Sequence, residues 1–595
     1  MSNEIYEPKG FALEIFKKRY ARHEGETWQE ACDRVATHIA AAETNGHIAQ
    51  FQKEFGDILK RNLFFPGGRI WYGSGRPKGQ LLNCFVIPTK DSREGWGRTA
   101  SDTIIISGTG GGVGTNYSPV RPKKSSIAGV EGAASGAVSL MRGINAFGEE
   151  MKGGGGRRVA LMMALNINHG DIVEFLDAKL DLKKLNNANV STIFDEDPED
   201  FFALVKADAM LDLKHNGKVV GQAPAKELWR RIVSNALKSG EPGLLNGYLA
   251  NRMNNIWYFK PVICTNPCGE IWLIEYDCCD LGALVLPRFV QILANGERTF
   301  DRALLKHAIR IAVRFLDDVL TVNNYPLEEI KETCSQIRRI GLGVTGLSTM
   351  LLKLGLRYNS TEALEFVDSL MNFIKNCAYE ASIELAEEKG AFPMFDAEKF
   401  LKGGFVKTLK PTLRDAIRKK GIRNCALLTI APVGTGSIVC DVDSGIEPSF
   451  GPGHKRTFRD GDDLKSEIVV HPLFKEMYLA GKDVSHFQSA YELKMRDHFE
   501  MQRTCQKHID NAVSKTINVP PGTSEQELSD LYMEYFPDLK GVTVYPEGSR
   551  ENQPITPMSF EEVLPFINSS AVGPTSGDGC STGACDVPWA KDMVK

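Results

Sequence analysis

The chain has 595 residues, 42% of them hydrophobic and 25% charged, which is the make-up of a folded globular protein and excludes intrinsic disorder and fibrous or collagen-like character. Its 71 basic and 75 acidic side chains almost cancel, at −4, so no broad field favours nucleic acid or an anionic membrane, and a charged substrate must be caught locally. At roughly 150 residues per domain the length allows about four domains or one large α/β barrel. The start, MSNEIYEPKGFALEIFKKRY, has no long apolar run or small-residue cleavage site. No stretch nears the roughly 18 apolar residues of a membrane span, so the expected compartment is cytoplasm. Thirteen cysteines are expected to be mostly reduced, which makes any pair catalytic, metal-binding or incidental.

Residues 1–60 read as a helical lead-in. Trp28, Cys32, Val35 and Ile39 recur every three or four positions behind Thr27, a capping candidate. From 61 to 175, glycine-rich turns separate apolar runs at 81–88, 102–107 and 159–167, which predict strands joined by loops. Val367, Leu370, Met371, Ile374, Ala378, Ala381 and Leu385 then trace one face of a long helix, after Ser360 and Thr361 as caps and before Gly390 as a stop. Apolar segments at 424–432 and 541–545 precede glycine-bearing turns, so strand and helix alternate and the class is α/β. The last stretch, 573–595, is rich in Gly, Ser, Thr and Asp, carries Cys580 and Cys585, and is expected to be mobile.

The most informative segment is Cys264-Thr-Asn-Pro-Cys-Gly-Glu270, followed by Cys278-Cys279-Asp-Leu-Gly282. Asn266, Cys268 and Glu270 alternate at period two, so an extended backbone would project amide, thiol and carboxylate to one side. Pro267 and Gly269 favour a presented loop tip instead. Cys264, Cys268, Cys278 and Cys279 admit a second reading, as zinc ligands, and Cys264 and Cys278 a third, as small buried core residues. No C-x2-C spacing or nearby His pair supports the zinc reading, and the core reading leaves Glu270 unexplained.

Three glycine-rich segments complete the candidates. Residues 107–122, SGTGGGVGTNYSPVRP, allow close backbone approach to a ligand or a plain turn, without the pattern of a known phosphate loop. Ala431-Pro432-Val433-Gly434-Thr435-Gly436-Ser437 follows a strand candidate and offers hydroxyls and amides to an anion. Lys152, with four glycines before Arg157 and Arg158, pairs a pliant loop with cations, either an exposed basic turn or a phosphate contact.

Taken together and in order, these segments resemble the catalytic chain of ribonucleotide reductases, specifically the adenosylcobalamin-dependent class II branch. The anchors are LLNCFVIP around Cys84, GGGVGTNYSPVRP, GGGGRRVAL, NPCGE, CCDLG, RRIGLGVTGL, TIAPVGTGSIVCDVDSGIEPSF and DNAVSKTINVP with GVTVYPEGSR. The resemblance implies a ten-stranded α/β barrel of two five-stranded halves over 61–565, with a central finger loop, and a redox-active tail over 566–595. It makes Cys268 the thiyl-radical cysteine that removes the ribose 3′ hydrogen, Glu270 the base on the 3′ hydroxyl, and Asn266 a substrate hydrogen-bonder. Cys84 and Cys279 become the dithiol that supplies two electrons and ends as a disulfide, and Cys580 and Cys585 the tail pair that re-reduces it by thiol exchange.

The same resemblance places substrate at Asn83, Gly112 and 431–437, with Val433 standing where Thr is usual. It places a dNTP or ATP specificity effector at Asp91, Lys152, Arg157 and Arg158, where Gly153, Gly156 and Val159 replace the more frequent Gln, Lys and Gly. It further implies adenosylcobalamin, Mg2+ with the nucleotides, a thioredoxin- or glutaredoxin-type reductant, a homodimer, and no protein-bound metal. A single tyrosine in GVTVYPEGSR, where a class I subunit would carry a tandem pair, favours class II. A class I subunit with a metal-bearing partner and a non-catalytic nucleotide- or zinc-binding scaffold are the alternatives. The short lead-in leaves no room for an ATP-cone.

Overall fold

The structure, a computed structural model, describes residues 4–44, 46–127, 132–153, 157–180, 185, 187–294, 296–460, 463–490, 492–547 and 555–568. It opens with three helices, α1 (Phe11–Arg19), α2 (Trp28–Ala40) and α3 (Ile48–Lys60). Thr27 caps α2 in a reciprocal pair of bonds with Glu30, so two end amides find partners without solvent. Trp28, Cys32, Val35 and Ile39 are all buried, and the Trp28 ring lies 13° from parallel to Phe65 of the following strand.

The elements that build the barrel follow in chain order: β1 (Phe64–Pro66), β2 (Cys84–Val86), α4 (Arg93–Gly108), β3 (Gly112–Asn116), α5 (Ala137–Glu150), β4 (Leu161–Asn166), β5 (Ala188–Phe194) and β6 (Gly243–Asn246). Next come β7 (Asp277–Cys279), β8 (Leu281–Val285), α6 (Arg302–Val322), α7 (Glu328–Ile337), β9 (Gly341–Thr345), α8 (Thr361–Lys389), α9 (Thr435–Cys440), β10 (Thr516–Val519) and β11 (Gly541–Pro546). β2, β3, β4, β5 and β6 run parallel in that order. β6 meets β11 antiparallel, and β11 pairs parallel with β10. Single bridges, Ile430 to Val513 and Leu342 to Leu428, carry the order on to β9, which pairs parallel with β8.

With 428–430 as a strand, these are two oppositely directed runs of five parallel strands. The segment 424–432 makes one isolated bridge to each neighbour, at Leu428 and Ile430, rather than a full ladder, and further backbone bonds such as Leu342 N to Leu427 O and Ser514 N to Ile430 O hold it between them. At the far edges β7 lies antiparallel on β2 and β1 antiparallel on β8. Among the described residues no ladder joins β8 to β2; the chain spans that gap itself, since only Asp280 separates β7 from β8.

The long helix is where its periodicity places it. Ser360 Oγ accepts from Ala363 N, Gly390 ends it, and its apolar face is buried. The strand expected at 102–107 is instead the last part of α4. Its β-branched run has strand propensity, but Ser92 caps the element, and Gly95, Thr99, Asp102, Thr103 and Ile106 are buried at helical spacing, so packing overrides propensity. No described helix is long and apolar enough to cross a membrane.

Candidate active site

The segments Cys264–Thr265 and Trp272–Leu273 pair as a two-stranded hairpin that threads the barrel. Asn116 Nδ2 donates to Ile263 O at 3.1 Å and Asn189 Nδ2 to Pro267 O at 2.6 Å. Thr429 Oγ1 and Ala512 N both donate to Glu270 O, at 2.5 and 2.9 Å, and Trp272 Nε1 to Lys540 O at 3.0 Å. The hairpin is thus gripped by both halves of the barrel. β3 makes room for it: a Cβ on Gly114 would sit 1.8 Å from Thr265 O, and one on Gly112 3.0 Å from Pro267 Cγ. The close approach that these glycines permit is to the chain's own loop, and Gly112 borders the finger.

At the tip the backbone turns tightly. Gly269 has φ 80°, a left-handed conformation that suits glycine, and its N–H donates to Asn266 O at 3.0 Å. The turn folds two side chains of the tip back onto β2. Asn266 Nδ2 donates to Glu270 Oε1 at 2.7 Å and to Cys84 Sγ at 3.1 Å, and Cys84 Sγ lies 3.7 Å from Glu270 Oε1. Asn266 Oδ1 accepts from Ile271 N at 3.2 Å, which fixes the amide's orientation. Cys279 is directly opposite Cys84 in the register of β7 on β2. Such partners share a face with Cα atoms about 4.5–5.5 Å apart, inside the range a disulfide spans.

Cys84 and Cys279 are buried, whereas Cys268 is partly exposed. Cys268 lines a cavity with Ser191, Gly243, Ser514 and Thr543. Burial, and next the Glu270 charge, pushes the Cys84 thiol well above its ordinary range; burial, and next Asp280, does the same to Cys279. Both sulfurs are therefore stored as thiols, able to surrender hydrogen. The zinc arrangement loses its geometry because successive strand residues point to opposite faces: Cys279 faces Cys84 while Cys278 meets Cys334.

A separate cleft shares no lining residue with the Cys268 cavity. It is lined by Asn83, Gly282, Thr429 and the loop Ala431, Pro432, Val433, Gly434 and Thr435. Asn83 Oδ1 is buried without a hydrogen-bond partner among the described residues. Gly436 and Ser437 lie behind the loop in α9: a Cβ on Gly436 would meet the Phe65 ring at 2.6 Å, and Ser437 Oγ donates to Gly434 O at 2.8 Å. Sequence reading did not reach Arg19 and Tyr20, which also line the cleft. Tyr20 Oη lies 2.8 Å from Thr435 Oγ1, and the only signal for either was the basic-aromatic end of α1.

The segments Lys152–Gly153 and Arg157–Arg158 form a two-residue antiparallel ladder. Asp91 accepts from Arg121 at both N (3.1 Å) and Nε (2.8 Å), with His215 Nε2 3.7 Å away. Cys580 and Cys585 lie outside the described residues.

Fold and site together define a barrel enzyme that sets a dithiol and an amide–carboxylate pair beside a ligand cleft. The ribonucleotide reductase barrel-domain model matches residues 82–545, and the all-alpha-domain model matches 6–79. The chain belongs to the ribonucleotide reductase family. A vitamin B12-dependent ribonucleoside-diphosphate reductase of Thermoplasma acidophilum is 33% identical over 94% of this chain and 74% of its own length. One of the same name from Mycobacterium tuberculosis (strain CDC 1551 / Oshkosh) is 32% identical over 96% and 84%. A ribonucleoside-diphosphate reductase subunit alpha of Chlamydia muridarum is 27% identical, over 73% of this chain and 46% of its own length.

Proposed function

We propose that the protein reduces ribonucleoside diphosphates to 2′-deoxyribonucleoside diphosphates in a vitamin B12-dependent reaction. The carrying observation is the convergence of Cys84, Asn266 and Glu270, with Cys279 opposite Cys84, at a finger loop whose tip also bears Cys268. Extended likeness to B12-dependent reductases supports the cofactor; neither the class I alternative nor the non-catalytic scaffold gains support.

Beside Cys268 the cavity lining carries hydrogen-bonding side chains that would face the amides of a cobalamin. Ser191, Gln502, Ser514, Thr516 and Thr543 line this cavity, which shares no lining residue with the substrate cleft. When bound, adenosylcobalamin supplies the one-electron chemistry that a ribose C–H bond requires and side-chain acids and bases cannot provide.

In this reading the remaining work belongs to the chain. Cys268, as a sulfur radical, takes the 3′ hydrogen and returns it at the end. Glu270 takes the proton of the 3′ hydroxyl, and Asn266 orients both the carboxylate and the sugar. Cys84 and Cys279 give two hydrogens, the 2′ hydroxyl leaves as water, and an S–S bond forms between them. The balance is ribonucleotide plus dithiol to deoxyribonucleotide, disulfide and water.

Asn83 would accept a substrate hydrogen bond, and residues 431–435 with Arg19 would seat the phosphates. Cys580 and Cys585, served by a thioredoxin- or glutaredoxin-type protein, would restore the dithiol. Asp91, Lys152, Arg157 and Arg158 would read a dNTP or ATP effector. A homodimer would bury Ile104, Ile105 and Phe147, which are exposed on α4 and α5; cytoplasm is the compartment that fits the reduced thiols. Anaerobic assay with adenosylcobalamin, dithiothreitol, Mg2+ and each ribonucleotide tests the proposal. Deoxynucleotide formed from diphosphates without a second subunit is the expected result, and none formed under those conditions refutes it.

A further inference from the structure

Cys278 is the chain neighbour of Cys279, but the strand turns it to the outer face of β7, where α7 packs. There its Sγ lies 2.7 Å from Cys334 Sγ of α7. That is closer than two thiols sit at rest and within about 0.7 Å of a covalent S–S bond. The two sulfurs have only that gap to close in order to join. The flanking residues already hold the elements in place, for Arg339, just past α7, donates from Nε to Asp277 Oδ2 at 2.8 Å.

We propose that Cys278 and Cys334 are a second redox dithiol of this protein, converted to a disulfide by a hydroperoxide. Each thiol loses one hydrogen, the peroxide O–O bond breaks, the S–S bond forms, and with hydrogen peroxide two waters leave. The pair is separate from Cys84 and Cys279, which meet on the inner face of the same strand. The bond ties α7 to β7 and withdraws Cys278 from exchange with a disulfide at its chain neighbour Cys279. Cys278 and Cys334 are 0% and 2% exposed, and burial followed by the neighbouring sulfur raises the Cys278 thiol well above its ordinary range. Oxidation is therefore slower here than at the partly exposed Cys268.

The inference does not rest on the reductase reading, because its test needs neither substrate nor cofactor. The full chain, reduced with dithiothreitol and desalted, is exposed to hydrogen peroxide, denatured in acid, alkylated with N-ethylmaleimide and digested. Peptides are then fragmented between positions 278 and 279. A Cys278–Cys334 linkage that grows with peroxide, reverses with dithiothreitol, and persists in Cys279→Ser but not in Cys334→Ala is expected. Recovery of both residues as alkylated thiols or as sulfinic acids, with no linkage, overturns the proposal. If Cys334→Ala fails to fold, the wild-type peptide map decides alone.

Discussion

Cys84 and Cys279 stand directly opposite each other on antiparallel strands, and Gly341 leaves the Cys279 sulfur its space, since a Cβ there would lie 2.7 Å from it. Two thiols so placed can close a disulfide without moving either strand. Cys84→Ser and Cys279→Ser should each fold, yet form no deoxynucleotide above background, because one sulfur cannot deliver two electrons and end in a bond. Product analysis with dithiothreitol as reductant checks this. Sustained turnover in either variant would remove the pair from the mechanism.

Glu270 is 1% exposed and takes the Asn266 amide on Oε1, so its carboxylate is oriented before substrate arrives. A positioned general base contributes about 10²–10⁴-fold. Glu270→Gln should lower kcat by about that factor and change KM little, because the amide keeps the shape of the site and lacks only the basicity. Initial rates over a substrate series make the test; an unchanged kcat would show that another group takes the 3′ hydroxyl proton.

Much of this was legible from local pattern. Thr27 before a helical repeat and Ser360 with Gly390 around a long one are signals written within a few residues, and both helices formed there. The site was legible because Asn266, Cys268 and Glu270 share one short turn, and the resemblance supplied Cys84 from elsewhere in the chain. What remained hidden depends on contacts remote in sequence. The run at 102–107 has strand composition but is helical because its buried positions fit a helix face. The glycines around Gly114 gave no hint that the object approaching them was Thr265 O of the same chain. Tyr20 reaches Thr435 across most of the sequence.

Gly114 therefore offers a test of the finger's docking. Gly114→Ala would put a methyl 1.8 Å from Thr265 O, a backbone atom that the hairpin cannot withdraw without breaking the Asn189 and Thr429 bonds to the loop. Overpacking of this kind costs about 1–3 kcal/mol or more. Gly97→Ala in α4 meets nothing within 4 Å and should stabilise by about 0.5–1 kcal/mol, as alanine does in a helix. Urea unfolding of both variants gives the comparison, and equal midpoints would mean that the hairpin is not held against β3.

Ile105 and Phe147 are 42% and 46% exposed on α4 and α5, apolar surface of the kind a protein interface covers. Ile105→Glu and Phe147→Glu should each shift the sedimentation equilibrium of the proposed homodimer toward monomer. An unchanged mass in both would place any dimer contact on another face.

Lys540 gives a pH dependence whose sign follows from its surroundings. It is 3% exposed, and its Nζ donates to Asp510 O at 2.5 Å. Burial, partly offset by the Asp510 charge, pushes its ammonium group down to about 7. In the unfolded chain a lysine keeps its proton to about 10.4. Between those values the unfolded state binds more protons, so stability rises with pH, by up to about 1.4 kcal/mol per unit for one proton; below about 7 both states are protonated and the dependence vanishes. Asp318, pushed up to about 8 by burial, works in the opposite direction, since the folded state keeps its proton, but it does so equally in wild type and in Lys540→Met. Subtracting the two proteins' urea-derived stabilities at pH 7 and pH 9 gives the lysine's effect together with that of Asp510, which acts with the same sign: its carboxyl is pushed up by burial and held down in part by Lys540, so the folded variant keeps that proton longer. Wild type should gain on the variant across that interval, and a constant difference would mean that Lys540 is charged in the folded protein throughout.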